Sequence, residues 1–594
     1  MRLLSLLLLL LPLPALAQPP VITPGNRFAY LDDLDPYYPH TKFPKLTTPQ
    51  WVGEDGVEAV VVLAIDDMRD PKKYEAYLRP ILDRLKKIDG RAPVSIMTCN
   101  IDPMDKRLQG WLKEGLSLEV HTVDHPCPYF KPGFAKAKDT TDRGVDLLNA
   151  VPNSRPVAFR MPCCDSLNTP SPRHWAEVFN KVTDKRNYLT LDSSVFMCYT
   201  AADPDLPKDL VLDAGKERFK KYLPGDRDFV NWIENYPYPY VIGQHCWQFP
   251  CMTPSDWEAQ YLHKPNNPLT VRDWKAALDC TVAKKGVFNM VFHPHGWIKA
   301  EQVIEFIDHA VEKHGTKVKF LTFKEAHDRL QKSLFAGHEW RACSDSVFLV
   351  DVNNDGYLDI VDFRSRGGKT YLWDTDLKGW RIIKGPDGLA LNLVLGGGVR
   401  FGVLQKNGCA SIAHFARVPG DKAPDTFREG LLHFDGDKWI SDLNFKKPID
   451  AASAIYRLLD LDGDGICEKI DEAGNVFAFD VAQGWRRLNF SLPPSIHAGV
   501  RFVDLDADGK LDVVHADENG FGVHRFLGMK TGWTKVRAGK AGSLGAIPLI
   551  ARNGTNNGCF AHSGQLWWAN EDTVLLKNHV DRRAYKELLM SKTK

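Results

Sequence analysis

Residues 55–333 alternate between short runs rich in β-branched side chains and longer amphipathic stretches, and this pattern constrains the fold most. Val57 to Ile65 has the length and composition of a buried strand, and Tyr74 to Ile88 then places apolar residues at helical spacing. The alternation predicts a largely parallel sheet covered by helices, either closed as a barrel or open and doubly wound. Further strand-like runs lie at 93–98, 117–120, 157–160, 188–191, 287–292 and 318–321, and helical patterns lie at 142–151 and 301–313.

Chemically reactive side chains lie at or just beyond the ends of these strand-like runs. The carboxyl ends of parallel strands form the catalytic face of α/β barrels, so residues from separate segments are expected to converge on one pocket. The residues in this position are Asp66, Asp67, His121, Arg160, Asp192 and His293.

The segment around His121 and the Asp66-Asp67 pair indicate a metal site. His121 and His125 are four residues apart, so a helical or turn-like backbone would bring both imidazoles to one cation. The Asp66-Asp67 pair would add a ligand and a base, which is the set that a mononuclear metal hydrolase needs. The ordinary alternatives are two partly exposed histidines, a solvated turn or helix cap at the acids, and a surface ion pair at Arg160.

The beginning of the chain predicts the compartment. A nearly unbroken apolar run after Met1-Arg2 is followed by Ala15-Leu16-Ala17, so residues 1–17 are interpreted as a removed secretory signal and 18–54 as an N-terminal extension. An uncleaved anchor is the alternative, although the run is short for a bilayer. We therefore expect a secreted, periplasmic or extracellular protein without stable membrane insertion.

The twelve cysteines fit that route, since disulfides persist in oxidising compartments. Cys246 and Cys251 bracket a short loop and are the predicted pair. The alternative is that His245, Cys246 and Cys251 form a fragment of a zinc site, for which a fourth ligand is missing.

The charge balance excludes some partners. There are 76 basic and 75 acidic side chains, so nothing in the bulk electrostatics favours nucleic acid or an anionic membrane surface. The length of 594 residues exceeds what one core normally organises and predicts two or three domains.

After residue 340 the pattern changes to short strands, turns and a repeated acidic loop. Each loop has oxygen-bearing side chains at positions 1, 3, 5 and 9 and glycine at position 6, and it is framed by strands. This arrangement predicts structural Ca²⁺ sites, because such oxygens wrap a hard cation and the glycine permits the sharp turn. The predicted ligands are Asp351, Asn353, Asp355 and Asp359, then Asp460, Asp462, Asp464 and Glu468, then Asp504, Asp506, Asp508 and Asp512.

A recurring tryptophan supports the repeat. Trp380, Trp439, Trp485 and Trp533 each follow a strand-like stretch at intervals typical of one four-stranded blade. Degenerate copies of the acidic loop lie at 405–409 and 556–559. Counting these copies predicts about five units over 336–594, which favours a small or incomplete β-propeller over a sandwich.

Together these motifs resemble known families. Residues 55–335 resemble the polysaccharide deacetylase domain (NodB-homology, carbohydrate esterase family 4), and residues 336–594 resemble the FG-GAP/VCBS repeats of integrin-like propellers. The family motif His-Ser/Thr-x-x-His-Pro is matched in full by residues 121–126. The others match in part: Thr-Phe-Asp-Asp-Gly appears as Ala64-Ile65-Asp66-Asp67-Met68, Arg-Pro-aromatic as Arg160-Met161-Pro162-Cys163, the fourth-motif acid as Asp192, and the strand ending in histidine as 291–295.

The resemblance implies a multidomain protein in which a distorted β/α barrel carries the chemistry. It implies that Asp67, His121 and His125 bind Zn²⁺ or another divalent transition metal. Asp66 would be the general base, oriented by Arg160. His293 would be the general acid with Asp192 fixing its tautomer, and His295 is the alternative acid.

The resulting prediction is a secreted metal-dependent deacetylase that removes N-acetyl or O-acetyl groups from a carbohydrate polymer or cell-wall glycan. The propeller would bind a protein or glycan ligand for targeting or scaffolding. The alternatives are a surface adhesion protein with an inactive deacetylase-like domain, favoured by Met68 and Cys163, and a hydrolase of non-sugar amides. Aromatic residues that either line a sugar-stacking groove or pack in the core are Tyr236, Tyr238, Tyr240, Trp247 and Trp297.

Overall fold

The computed structural model describes residues 24–31, 39, 41–129, 131, 133–167, 172–179, 181–224, 229, 231–243, 245–365, 367–386, 399–417, 427–442, 448–449, 456–570 and 573–590. The predicted signal segment 1–17 lies outside these residues. Among the helices of the described ranges, none combines the length and the apolarity that a bilayer crossing requires.

The first region alternates strands and helices as the sequence predicts. Its strands are β1 (Ala59–Met68), β2 (Val94–Thr98), β3 (Ser117–Val120), β4 (Ala158–Phe159), β5 (Leu191–Asp192), β6 (Phe196–Cys198), β7 (Leu212–Asp213), β8 (Lys216–Glu217), β9 (Trp232–Glu234), β10 (Tyr240–Ile242), β11 (Cys246–Gln248), β12 (Cys251–Met252), β13 (Val287–Phe292) and β14 (Val318–Phe320). Its helices are α1 (Thr48–Trp51), α2 (Pro71–Asp89), α3 (Lys106–Glu114), α4 (Phe134–Asn149), α5 (Pro172–His174), α6 (Lys208–Val211), α7 (Asp256–His263), α8 (Pro268–Lys284), α9 (Ala300–His309), α10 (Phe323–Phe335) and α11 (Trp340–Cys343). Short 3₁₀ and π turns lie at Pro24–Asn26, Ala29–Leu31, Trp175–Phe179, Lys220–Tyr222, Ala310–His314 and Gly315–Lys317.

One nine-stranded sheet organises this region. Its order is β10-β11-β5-β4-β3-β2-β1-β13, with β14 also beside β1, and every pairing except that of β10 with β11 is parallel. The sheet is therefore open at β10 and β13, so the closed barrel of the sequence prediction is not completed by strand pairing. Asn289 of β13 bridges part of the opening by donating from Nδ2 to the Phe249 carbonyl at 3.0 Å.

The central strand β1 is buried on both faces, as its continuous apolar run predicts. Its odd-numbered residues pack with Leu78 and Ile81 of α2, whereas its even-numbered residues pack with Trp51 and with α10. Asp70 caps the N-terminus of α2 by accepting hydrogen bonds from two backbone N–H groups, and Gly90 in the left-handed conformation ends that helix.

The second region consists of small antiparallel sheets. Four sheets of four or five strands follow one another, then a two-stranded and a three-stranded sheet. The strands are β15 (Val347–Val350), β16 (Asp359–Asp362), β17 (Lys369–Asp374), β18 (Gly379–Lys384); β19 (Val399–Gly402), β20 (Ser411–Arg417), β21 (Phe427–Phe434), β22 (Trp439–Asp442), β23 (Pro448–Ile449); β24 (Tyr456–Leu459), β25 (Glu468–Asp471), β26 (Asn475–Asp480), β27 (Gly484–Ser491); β28 (Val500–Val503), β29 (Asp512–Ala516), β30 (Phe521–Phe526), β31 (Trp533–Gly539); β32 (Ala551–Arg552), β33 (Thr555–Asn556); and β34 (Cys559–His562), β35 (Gln565–Trp568), β36 (Asp581–Ala584). Short 3₁₀ turns at Thr573–Leu575 and Lys577–His579 precede β36, and helix α12 (Tyr585–Leu589) follows it.

The recurring tryptophan has a structural cause. In all four larger sheets it is the first or second residue of its strand and pairs directly with an aromatic residue of the preceding strand, with ring centroids 5.0–5.4 Å apart. Such cross-strand aromatic pairs stabilise a hairpin beyond their buried area. The acidic loops, and the degenerate loop at 405–409, each join the first two strands of a sheet. Closure into a propeller and kinship with FG-GAP/VCBS repeats stay predictions.

Part of the predicted N-terminal extension packs on the second region. Asn26 exchanges two hydrogen bonds with the backbone of Asp460, and Arg27 pairs with the Asp351 carboxylate at 3.2 Å. The segment therefore contacts two of the acidic loops directly.

Candidate functional site

The carboxyl end of β1 places two acids in different directions. Strand pairing with β2 shifts register between Ile65 and Met68, and Asp67 adopts the left-handed conformation with φ of 69°. An irregularity of this kind re-aims a side chain at the rim of a sheet. Asp66 therefore remains buried while Asp67 faces the loop of the two histidines.

Asp66 is held by a buried arginine. Arg160 Nη1 donates to Asp66 Oδ1 at 2.6 Å, and neither side chain exceeds 3 % exposure. The other guanidinium N–H groups donate to the carbonyl and hydroxyl oxygens of Ser193 and to Asn289 Oδ1. Burial would lower the pKa of Arg160, but the ion pair with Asp66 holds it above its ordinary value.

Asp67, His121 and His125 converge on one point. His121 Nε2 lies 3.2 Å and His125 Nε2 lies 2.6 Å from Asp67 Oδ1. His121 Nδ1 donates to the Arg160 carbonyl at 2.8 Å, which leaves its Nε2 lone pair directed at Asp67. The motif is a turn, in which Thr122 and His125 have positive φ and the Thr122 hydroxyl accepts the His125 N–H.

The donor set fits a divalent cation. Asp67 Oδ1 is buried and receives no hydrogen bond of acceptable geometry, although two imidazoles face it. Burial raises the pKa of Asp67, but its three histidine neighbours outweigh burial and hold that pKa far below its usual range. Burial also lowers the pKa of His125. An ionised carboxylate and neutral imidazoles are the forms that ligate a metal.

His293 is paired with an acid that the sequence prediction did not include. Its Nδ1 donates to Asp256 Oδ1 at 2.7 Å, and its backbone N–H donates to the other carboxylate oxygen at 2.8 Å. Burial lowers the pKa of His293, but the charge and hydrogen bond of Asp256 raise it to about 10. His293 therefore holds a proton at neutral pH.

The prediction that Asp192 is the partner of His293 is wrong. The Asp192 carboxylate accepts hydrogen bonds from the hydroxyl and the N–H of Ser194, and burial raises its pKa to about 7. Asp256 starts α7 one residue after Ser255, which forms a capping box with Glu258. That Ser-x-x-Glu pattern is visible in the sequence and places an acid at a helix start next to the strand ends.

His295 also reaches the site, on the solvent side. Its Nε2 lies 2.9 Å from Asp67 Oδ2, its Nδ1 lies 3.2 Å from Lys73 Nζ, and its side chain is 28 % exposed. The Trp297 ring contacts the rings of both His293 and His295, with centroids 4.9 and 5.0 Å away. The other predicted groove aromatics are buried in the core instead: Tyr236, Tyr238, Tyr240 and Trp247.

The predicted Cys246–Cys251 disulfide is also wrong. Both thiols are free and buried, on strands of different sheets, and Cys251 Sγ donates to the Ser193 carbonyl at 3.1 Å. The disulfide among the described residues joins Cys127 and Cys163. It ties the turn that follows His125 to the segment that follows Arg160. The suggested zinc fragment at His245 is not supported either, since His245 Nδ1 pairs with the Ser344 hydroxyl.

In the acidic loops, the carboxylates at positions 1 and 9 have structural hydrogen bonds. The first acid accepts the glycine N–H of position 6 in each loop, and the ninth acid accepts the backbone N–H of position 2. Burial raises the pKa of Glu468 to about 9 and that of Asp512 to about 7, and repulsion from neighbouring acids adds to both shifts. Asp460, Asp462 and Asp464 form one converging oxygen cluster, and Asp504, Asp506 and Asp508 form another. Calcium binding there stays a prediction.

Comparison with known proteins gives a family match in the first region. Residues 53–171 match the model of the polysaccharide deacetylase family, and this segment contains Asp66, Asp67, His121, His125 and Arg160. No curated protein matches the sequence.

Solved structures give weaker likenesses. A proposed polysaccharide deacetylase from Mycobacterium smegmatis is 13% identical, with a TM-score of 0.31, covering 50% of this chain and 96% of its own. Peptidoglycan deacetylase PdaC from Bacillus subtilis is 16% identical, with a TM-score of 0.24, covering 47% and 95%. The catalytic domain of a peptidoglycan N-acetylglucosamine deacetylase from Eubacterium rectale is 14% identical, with a TM-score of 0.25, covering 45% and 89%.

Proposed function

We propose that this protein is a secreted, metal-dependent deacetylase that hydrolyses N-acetyl or O-acetyl groups on a carbohydrate polymer or cell-wall glycan. One observation carries the proposal: Asp67, His121 and His125 converge on one point beside an arginine-held carboxylate and a histidine paired with Asp256. Ligands, base and acid are thereby collected at the carboxyl ends of strands, where hydrolases of this fold class act.

Asp67, His121 and His125 would hold Zn²⁺ or another divalent transition metal. When bound, such an ion acts as a Lewis acid toward the acyl oxygen and lowers the pKa of its bound water to near neutral pH. Hydrogen bonds from the protein to the ligands themselves orient the site. The clearest is the bond from His121 Nδ1 to the Arg160 carbonyl.

Asp66 would act as the general base. The guanidinium of Arg160 occupies Asp66 Oδ1, so Oδ2 is the oxygen that remains for a proton from the attacking water. Because Arg160 is fixed by Ser193 and Asn289, it restricts the orientation of that carboxylate. Preorganisation of this kind removes the cost of positioning the base during the reaction.

His293 would act as the general acid. Asp256 holds Nδ1, so Nε2 is the nitrogen that delivers a proton to the leaving amine as the carbon–nitrogen bond breaks. The raised pKa of His293 keeps that proton in place at neutral pH. An amine leaves poorly without a proton, so N-deacetylation depends on this residue more than ester cleavage does.

The substrate side is formed by Trp297 and His295. Trp297 is half-buried against both histidines and offers an apolar ring beside the acid. Aromatic rings with one exposed face suit the apolar faces of sugars. The second region, stabilised by Ca²⁺ at its acidic loops, would place the enzyme on polymer, cell wall or a protein partner.

The test is acetate release from chitin, xylan and peptidoglycan fragments by the full chain, before and after chelation. We expect release from at least one glycan, loss on chelation and recovery with Zn²⁺. Hydrolysis of a cyclic amide opens the ring and keeps the nitrogen in the product, so ring-opened product from cyclic amides without acetate release would instead support the non-sugar amide hydrolase. Absence of both, with only calcium bound, would support the adhesion protein.

A further inference from the structure

A second group of two histidines and an aspartate lies on α8 and α9, away from the strand ends that carry the first site. Asp279 belongs to the last turns of α8, His309 ends α9, and His314 ends the π-helical turn that follows. Asp279 precedes β13 and His314 precedes β14, so the group lies toward the amino end of the sheet. None of the three has a part in the deacetylation chemistry.

The distances in this group are similar to those of the first site, although here both imidazole nitrogens have hydrogen-bond geometry toward Asp279 Oδ1. His309 Nε2 lies 3.0 Å and His314 Nε2 lies 2.7 Å from Asp279 Oδ1. The corresponding distances from Asp67 Oδ1 are 3.2 and 2.6 Å. The side chains of Asp279, His309 and His314 are 10, 19 and 11 % exposed, so they are shielded but remain open to an ion from solvent.

A departure from regular helix brings the two histidines together. Residues five apart on an α-helix point about 140° away from each other, because each residue turns the chain by about 100°. The π turn at 310–314 changes this relation, and the two rings approach to 6.0 Å between centroids. Single π turns are rare in proteins and occur frequently at functional sites.

A lysine also contacts the carboxylate of this group. Lys313 Nζ lies 2.8 Å from the other oxygen of Asp279, Oδ2, and already balances the carboxylate. Neutral imidazoles that present Nε2 lone pairs to a shared point are the form that binds transition metals.

We propose that Asp279, His309 and His314 bind a second divalent transition metal, which fastens α8 to the end of α9. Two imidazoles and a carboxylate suit zinc and its neighbours better than calcium or magnesium, and water would complete the coordination. The ion binds the folded chain and not the unfolded one, so it stabilises the fold.

The experiment counts zinc in the full chain. The protein is stripped with chelator, reloaded with Zn²⁺ in excess Ca²⁺, freed of unbound ion and analysed by elemental mass spectrometry. The double variant H121A/H125A removes the first site, and we expect it to retain about one equivalent of zinc. Zinc should also raise its melting temperature. Absence of tightly bound zinc in H121A/H125A would overturn the proposal.

The converse variant is H309Q/H314Q, since glutamine can still donate to Asp279 but does not replace an imidazole ligand. It should bind one equivalent less than the native chain, whereas replacement of the exposed His338 by Gln should change nothing. Unchanged zinc content in H309Q/H314Q would contradict the proposal. If that variant does not fold, H121A/H125A decides alone, because it leaves the second group intact. Acetate release reports on the first site only, so failure of the enzymatic proposal is distinguishable.

Discussion

Replacing Asp256 by Asn tests whether Asp256 positions the proposed general acid, His293. The substitution removes the charge beneath His293 but keeps an amide oxygen that can accept from Nδ1. In the native protein the pKa of His293 is about 10, because Asp256 outweighs burial. Burial remains in the variant, as do the charges of Asp66 and Asp67, so we expect the pKa to fall toward its ordinary value of about 6.5. A fall of about three to 3.5 units corresponds to roughly 4–5 kcal/mol of lost stabilisation of the imidazolium.

The assay is the pH dependence of kcat for acetate release. At about pH 8 only a few per cent of the variant would carry the imidazolium, given a pKa near 6.5. The upper pH limit of activity should move down by about three units, and kcat on an N-acetylated oligosaccharide should fall by about 10²- to 10⁴-fold, the usual contribution of a general acid. An aryl acetate should be cleaved at nearly the native rate, because its phenolate leaves without a proton.

Asp192→Asn is the matched control. Asp192 is buried and bound by Ser194, not by His293, so this variant should retain the native pH limit. An unchanged pH profile in Asp256→Asn, or the same shift in Asp192→Asn, would refute the assignment of Asp256 as the residue that positions the acid.

Three further predictions concern stability. Arg160→Met leaves the buried carboxylate of Asp66 unpaired and should cost about 3–5 kcal/mol in urea unfolding; a cost near zero would contradict the buried pair. The pKa of Glu468 is raised above its unfolded value, so its neutral form favours the fold, and calcium-free stability should fall as pH rises from about 4.5 toward 9. Thermal unfolding at several pH values should show that fall in stability. Ca²⁺ should reverse the fall, and the variant Glu468→Gln should show a weaker dependence on pH. If Glu468→Gln responds to pH as the native chain does, Glu468 is not the group responsible. The variant C127S/C163S should lose about 2–4 kcal/mol and become insensitive to reductant, whereas equal sensitivity in native and variant protein would exclude this disulfide.

Local patterns predicted the first sheet well. Strands such as β1 and β13 are short buried runs with strong β propensity, and the residues that end them do meet, because parallel strands share one carboxyl edge. His121 and His125 are brought to Asp67 by a turn with two positive φ angles, which the sequence could indicate only as helical or turn-like.

Residues fixed by tertiary packing were not predictable in this way. Asp192 ends a strand like the other site residues, but its carboxylate is bound locally by Ser194, whereas Asp256 arrives from a helix start. The spacing of Cys246 and Cys251 suggested a loop bridge, yet the two thiols enter different sheets. Hydrophobic periodicity carries no information on which distant segments approach each other. That approach determines which cysteines pair and which residues hydrogen-bond to the catalytic groups.

We have proposed that a metal site beside Asp66 removes acetyl groups from a glycan. The most direct measurement is acetate release from an N-acetylated oligosaccharide by the zinc-loaded full chain, side by side with zinc-loaded Asp66→Asn. We expect turnover by the native chain and a loss of at least about 10²-fold in the variant at unchanged zinc content, as for removal of a general base. Equal rates in the two proteins, or no acetate from the native chain while zinc remains bound at His121 and His125, would contradict it.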